Sequence, residues 1–338
     1  MLEVIEDIRR WQESGEDVAL ATVVSTWGSS PRAVGAKMAF TSNTKIAGSV
    51  SGGCVEGAVI DAGIQILTTG DSKLLNFGVA DETAFEVGLA CGGSIEVFVT
   101  TVNPELLIAI QNQLSASVVS AVVTVIEGPL ALIGKTLLLA KEHTYGSISP
   151  DLDEIATKIA AEALHNNDSG DQEVETGAGE KVRLFIDVIT PPPVLVMVGG
   201  VHIAITLSAL AKALGYHTTV IDPRKVFGSD ERFPEVDQLI QAWPDIALEQ
   251  IQLNSSTAVA VLTHDPKIDD PALKVALESD VFYIGVLGSR KTHEKRRQRL
   301  LTAGITPAQL EHLHAPLGID LGSRTPEETA LEVLAQIT

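Results

Sequence analysis

Cysteine is nearly missing from this chain, with two in 338 residues. That is too few for a disulfide framework, and each of the two is flanked by glycines instead. It also excludes iron–sulfur clusters, which take four cysteines each. Long apolar runs are missing as well. The longest, such as Val194–Val198, are strand-sized, so no segment is expected to span a membrane. The opening Met1-Leu2-Glu3-Val4-Ile5-Glu6 is acidic and has no basic region ahead of an apolar core. No secretory signal is read there, and a cytoplasmic location is the expectation. Basic residues are scarce: 24 Lys and Arg stand against 44 Asp and Glu, a formal charge of −20. A nucleic-acid partner needs a basic face, so that class is excluded, while a local basic pocket still admits a phosphorylated ligand. Hydrophobic residues, at 45% with a mean hydropathy of +0.22, mark a globular chain. Its length allows two or three domains with sizeable cores.

Within that frame one stretch occurs in full and returns stripped. The full version reads Gly28-Ser29-Ser30-Pro31-Arg32, then Gly48-Ser49-Val50-Ser51-Gly52-Gly53-Cys54-Val55-Glu56-Gly57, then Ala90-Cys91-Gly92-Gly93. About a hundred residues on, Ala21-Thr22-Val23-Val24 is echoed by Val123-Thr124-Val125-Ile126, and Gly48-Ser49-Val50-Ser51 by Gly146-Ser147-Ile148-Ser149. Gly35-Ala36-Lys37-Met38 returns loosely as Gly134-Lys135-Thr136-Leu137, and residues 98–104 as 185–191. The second version lacks the Ser-Ser-Pro-Arg, the Gly-Gly-Cys and the Cys-Gly-Gly. A duplicated scaffold is expected, with halves of about 1–103 and 104–190, and its chemistry is expected in the first half.

Hydrophobic spacing predicts a helix over 1–13, strands at 18–26, 37–40 and 46–50, a helix over 55–67, and strands at 74–77 and 95–102. The echo runs as helix 105–116, strands 119–126 and 135–140, helix 152–164 and strand 182–189. Residues 166–180 are polar and glycine-containing and read as a solvated loop. Pro191-Pro192-Pro193 holds the chain extended and divides a 1–190 domain from a 191–338 domain. Beyond it strands and helices alternate: strand Val194–Val198, a glycine turn, a helix ending at Gly215, strand 218–221, and apolar strands at 257–262 and 282–287. Thr325-Pro326-Glu327-Glu328 is a capping box with proline at the first helical position. The fold class is α/β, a duplicated α/β domain followed by a Rossmann-like, doubly wound parallel sheet.

Several residues carry chemistry by position. Gly52-Gly53-Cys54 precedes a helix, where the dipole and unpaired N–H groups lower a thiol's pKa and ready it as nucleophile or soft ligand. A small buried cysteine at a tight turn explains the same residues. Cys91 carries the same two readings. Ser30 and Arg32 suit an oxyanion, or form an ordinary turn. Glu56 either polarises a ligand or caps its own helix. Gly199-Gly200-Val201-His202 follows a strand and opens a helix, as a dinucleotide turn does, but Val201 stands where the second glycine is needed and is expected to crowd a pyrophosphate. Asp222 ends the next strand, where a ribose-binding carboxylate belongs. His264 and the 285–290 segment (GVLGSR) lie at strand carboxyl ends, and Ser289 and Arg290 start a helix able to hold a phosphate.

Taken together these motifs resemble the XdhC/CoxI family, maturation factors for xanthine and carbon monoxide dehydrogenases. The likeness spans nearly the whole chain: G-S-S-P-R, G-A-K-M, G-S-V-S-G-G-C-V-E-G and L-A-C-G-G in the first domain, and G-x-G-H-V-A, D-P-R, T-H-D, G-x-L-G-S-R and R-T-P-E-E in the second. Val201 is the departure. The resemblance implies a cofactor chaperone rather than an enzyme. It would bind the molybdenum cofactor (molybdopterin), work with a cysteine desulfurase during sulfuration, and pass the cofactor to an apo-molybdenum hydroxylase. The cofactor-binding set is then Ser30, Arg32, Lys37, Ser51, Gly52, Gly53, Cys54, Glu56, Cys91 and Gly92, with Cys54 and Cys91 as candidate molybdenum ligands and Arg32 and Lys37 holding the phosphate or dithiolene end. Gly199, Gly200, His202, Asp222, His264, Ser289 and Arg290 would hold NAD(P) or another nucleotide. The rival readings are an NAD(P)-dependent oxidoreductase acting alone and a regulatory ligand sensor. A homodimer is compatible with each, and neither nucleic acid nor membrane is an expected partner.

Overall fold

The apolar spacing changes from antiparallel-sheet texture to alternating buried strands and helices, and the observed elements change with it. The computed structural model describes residues 1–28, 32–78 and 93–338, which fall into two units, Met1–Pro191 and Pro192–Thr338.

In the first unit, helix Leu2–Glu13 leads into β1 (Val18–Trp27), β2 (Lys37–Thr41) and β3 (Ile46–Gly48), then helix Glu56–Thr69, β4 (Lys73–Phe77) and β5 (Ser94–Thr101). The series then starts again with helix Pro104–Ser115, β6 (Ser120–Glu127), β7 (Thr136–Ala140), β8 (His143–Gly146), helix Asp153–Asn166, β9 (Gly170–Glu175) and β10 (Lys181–Ile189). Among the described residues these strands form two antiparallel five-stranded sheets, ordered β3-β2-β1-β5-β4 and β8-β7-β6-β10-β9, the same order twice. Strand alternation gives each sheet two apolar faces. One face packs on its own helix, Ala19, Ala21 and Val23 with Val55, Val59 and Ile66 in the first half, and Ala121, Val123 and Val125 with Leu152, Ala156 and Ile159 in the second. The other faces meet each other: Val24 and Phe98 share a cluster with Ile126 and Phe185.

β9 corrects the reading of 166–180 as a loop. Its side chains are mostly exposed, so they carry no apolar alternation; its full register with β10 makes it an edge strand. β3 ends at Gly48, short of the expected 50, because Gly48 takes φ +71°.

In the second unit, β11 (Val194–Val198), helix His202–Ala213, β12 (His217–Ile221) and β13 (Gln238–Ile240) are followed by helix Pro244–Gln250, β14 (Thr257–Val261), helix Pro266–Leu277, β15 (Tyr283–Val286), helix Arg290–Thr302, β16 (Leu313–His314) and helix Pro326–Ile337. All six strands are parallel, in the order β13-β12-β11-β14-β15-β16. Leu195 and Met197 face the helices His202–Ala213 and Pro326–Ile337, and Val196 and Val198 face those on the other side. This is the doubly wound Rossmann-like sheet, with its topological switch point between β11 and β14. Among the described residues no helix is long and apolar enough to cross a membrane.

Candidate functional site

The Cys54 loop joins β3 to helix Glu56–Thr69, and one carboxylate sets its shape. Glu56 accepts hydrogen bonds from Ser49 Oγ (2.7 Å), Ser51 N (2.9 Å), Ser51 Oγ, Gly52 N (3.0 Å) and Gly53 N (2.9 Å). Ser51 Oγ in turn accepts from Cys54 N and Val55 N, both at 3.0 Å. The loop can close this tightly because Gly52 and Gly53 take φ +80° and +115°, where a side chain would be strained. The N–H groups expected to stand unpaired beside Cys54 are therefore used inside the loop. Burial alone would raise the Glu56 carboxyl, but the donors from Ser51 and Ser49 outweigh it and hold the pKa at about 2. Glu56 holds the loop, the contact that its capping reading expects.

Cys54 itself is a free thiol, half-buried against the helix-side cluster of the first sheet. Arg32 lies against the same loop, its Nε donating to Ser49 O (3.1 Å) and its Nη2 paired with Glu3 (2.5 Å). Lys37 does not join them. Its neighbours Met38 and Phe40 face the cluster that Cys54 packs on, so strand alternation turns Lys37 to the opposite side of the sheet. There it is 3% exposed, its Nζ 2.8 Å from Asp187 and 3.2 Å from Gly35 O. Ser30, Cys91 and Gly92 lie outside the described residues. Ser49, Glu3 and Asp187 were not singled out from sequence; the repeat of Ser49 as Ser147 was the available signal.

The second half repeats the device without the thiol. Asp153 accepts from Ser147 Oγ (2.6 Å), Ile148 N (2.7 Å) and Ser149 N (3.3 Å). Counting back from the helix N-caps Val55 and Leu152, Asp151 stands where the first half has Cys54. Its carboxylate is occupied by Ser149 Oγ (2.6 Å) and Gly177 N (3.0 Å).

In the second unit a cavity of about 680 Å³ opens at the switch point, lined by Val201, His202, Arg224, Thr263, His264 and Asp265 among others. Helix His202–Ala213 starts there with no side-chain cap on its N–H groups. Gly199 (φ +110°) and Gly200 are packed against Thr263 and Phe227. Val201 lies partly against the core cluster beneath and also lines the cavity. Asp222 is committed elsewhere: Oδ2 accepts Gly200 N (2.8 Å) and Arg224 Nη2 (2.7 Å), and Oδ1 accepts Arg224 N and Nε (both 2.9 Å). Burial would raise its carboxyl, and these bonds together leave it below the usual range. Arg224 stacks on Phe227, 4.1 Å from the ring centroid. His202 and His264 are exposed on this cavity, His202 Nε2 being 3.1 Å from Glu327. Ser289 caps helix Arg290–Thr302, and Arg290 lines a separate cavity of about 230 Å³. Among the described residues no cluster of three or more His, Cys, Asp or Glu is arranged to hold a metal ion.

The comparisons with known proteins cover both regions. A family model described as the XdhC and CoxI family matches residues 11–78, and one described as the XdhC Rossmann domain matches 195–337. A probable xanthine dehydrogenase subunit from Bacillus subtilis is 29% identical over 335 residues, 96% of this chain and 93% of that protein. The molybdenum cofactor insertion chaperone PaoD of Escherichia coli is 27% identical over 326 residues, 96% of this chain and 83% of that one. The crystal structure of a xanthine dehydrogenase from Bacillus halodurans matches with a TM-score of 0.79 over 98% of this chain and 94% of that one. At 22% identity that likeness shows the fold.

Proposed function

The chain belongs to the XdhC and CoxI family, and from that membership we propose that it is a maturation factor carrying the molybdenum cofactor as cargo. It holds the cofactor while a cysteine desulfurase supplies the terminal sulfido ligand, then inserts it into an apo-enzyme of the xanthine or carbon monoxide dehydrogenase type. The near full-length likeness to PaoD supports the cargo. The observation that carries the reading is the Cys54 loop, a half-buried thiol held by a preset hydrogen-bond ring that the second half copies without its thiol. Molybdenum and sulfide are soft partners for a thiolate, and the Arg32 guanidinium against Ser49 O supports an anionic cargo beside this loop. Cys91 is the second thiol of this proposal.

The test is Cys54→Ser and Cys91→Ser, made separately, with pterin fluorescence and molybdenum content of the purified chain as readouts and client activity as a third. Cys54→Ser is expected to lose most cargo and to leave the melting curve unchanged. A variant that keeps wild-type cargo and matures the client makes Cys54 a packing residue.

For the second unit we propose a phosphorylated ligand held without hydride transfer. The uncapped helix His202–Ala213 and Arg224 on the same cavity support an anion there, while Asp222 has its oxygens filled by Gly200 and Arg224 rather than open to a ribose. Calorimetry is expected to show nucleotide mono- or diphosphate binding that Arg224→Met weakens about tenfold, the loss of one charge-assisted bond. Tight NAD binding with substrate-dependent reduction favours the oxidoreductase reading instead.

A further inference from the structure

The inner faces of the two sheets of the first unit do not close completely on each other. Between them lies a cavity of about 570 Å³, within the roughly 300–1,000 Å³ of small-ligand sites. Phe98 and Phe185 line it, one from each half, with Thr22 and Thr124 beside them. These are equivalent positions, since Thr22 pairs with Phe98 in the first sheet and Thr124 with Phe185 in the second. Thr101, Lys135 and Ser147 on its edge are exposed, so the cavity has a mouth.

Around the cavity the two equivalent junctions between the halves differ in one pair of residues. Lys37 pairs with Thr22 across β1 and β2, and its counterpart across β6 and β7 is Thr136. Asp187, two residues beyond Phe185, corresponds to Thr100. The packing is reciprocal: Asp187 lies 3.5 Å from where Gly35 would carry a Cβ, and Thr100 lies 3.7 Å from the same point on Gly134. One of the two equivalent junctions between the halves therefore has a buried ion pair, Lys37–Asp187, where the other has Thr136 and Thr100. A buried pair is costly to desolvate and adds little net stability, and the threonine side demonstrates that this scaffold closes without it. The pair is also incompletely used. Lys37 Nζ has three donors, of which Asp187 and Gly35 O take two. Among the described residues no hydrogen bond reaches Asp187 Oδ1.

We propose that this cavity binds a flat heterocycle with a lactam edge, of the pterin or purine class. A lactam offers a carbonyl acceptor and an N–H donor side by side, complementary to the Lys37 ammonium and the Asp187 carboxylate 2.8 Å from it. Phe98 and Phe185 give it an aromatic lining, and the hydroxyls of Thr22 and Thr124 are available as partners for its ring nitrogens. Only the pterin source rests on the cofactor reading above.

The full chain is dialysed to equilibrium against free pterin and, separately, xanthine, each with its lactam-N-methyl analogue. Saturable binding of one heterocycle per chain is expected, at least about tenfold weaker for the methylated form, as one lost charge-assisted bond predicts. The variant Lys37→Thr with Asp187→Thr copies the neutral junction and removes both charges of the pair together. It is expected to melt as wild type does and to bind at least about tenfold more weakly. Thr124→Leu, which narrows the cavity, provides the same readout if the double variant fails to fold. Binding of pterin alone assigns the site to a pterin, and binding of xanthine alone to a purine; either supports the site. No saturable binding of either up to millimolar concentration, or undiminished binding by folded variants, overturns it. Molybdenum retention is measured in parallel. A chain that keeps cofactor but binds neither heterocycle loses this site and keeps the maturation reading, and the converse result separates the two the other way.

Discussion

At the scale of single residues, Glu56 is the piece on which the Cys54 loop depends. Five hydrogen bonds converge on its two oxygens, and no other side chain described in this loop can accept them all. Glu56→Ala leaves those donors to water, an expected cost of about 1–3 kcal/mol. Hydrogen–deuterium exchange should rise at residues 51–55 and hardly change elsewhere. The carboxyl's folded pKa of about 2 lies below its ordinary 4.5. Its contribution is therefore fully present above pH 4.5 and is lost as the pH falls from there towards 2. The melting difference between wild type and Glu56→Gln should be largest near neutrality and shrink steadily below pH 4.5; a difference independent of pH would mean the ring is not held by the carboxylate charge. The residues of this site were legible as types. Ser51, Gly52, Gly53, Cys54 and Glu56 stand out by composition and by the missing copy, and the helix start follows from their order. Which groups bond Glu56 was not legible, because the closing bonds depend on glycine dihedrals. The direction of Lys37 was available from strand parity, since Met38 and Phe40 are the apolar face of β2.

At the scale of elements, the same corner is built twice. Gly48 (φ +71°) ends β3 against the Lys37 carbonyl, and Gly146 (φ +79°) ends β8 with its would-be Cβ 2.8 Å from the Thr136 carbonyl. Alanine at either position meets left-handed strain and a backbone collision together, an expected cost of about 2–4 kcal/mol. Gly70 has a similar φ of +81° at a helix end, but nothing lies within 4 Å of its would-be Cβ. Gly70→Ala should cost only the strain, about 1–2 kcal/mol. Chemical denaturation of the three variants separates collision from strain, and equal losses would contradict the corner geometry. Buried elements were the legible ones. Strand Val194–Val198 is observed at the residues its apolar run predicts, and the capping box at Thr325 forms as written. β8 and β9 were not legible, because their side chains are exposed and only pairing with a neighbour makes them strands. Strand order in the antiparallel sheets was likewise outside the reach of local pattern: β5 sits beside β1 through contacts some seventy or more residues apart.

At the scale of the whole molecule, the formal charge of −20 repels itself. The Debye length is about 30 Å at 0.01 M salt and about 8 Å at 0.15 M, so added salt relieves long-range repulsion while leaving the buried Lys37–Asp187 and Arg296–Asp269 pairs largely untouched. The melting midpoint should rise over that range, and a fall would show that exposed ion pairs outweigh the net charge. The hydrogen bonds of the Cys54 loop are self-contained. A loop already set in shape spends no ordering entropy when it captures something, and gains none when it lets go. On the proposed role, arrival and departure at Cys54 would be governed by mass action between donor and recipient affinities, not by a spring in the loop. If the proposed role holds, Glu56→Gln is expected to weaken capture without speeding delivery to a recipient that already binds more tightly.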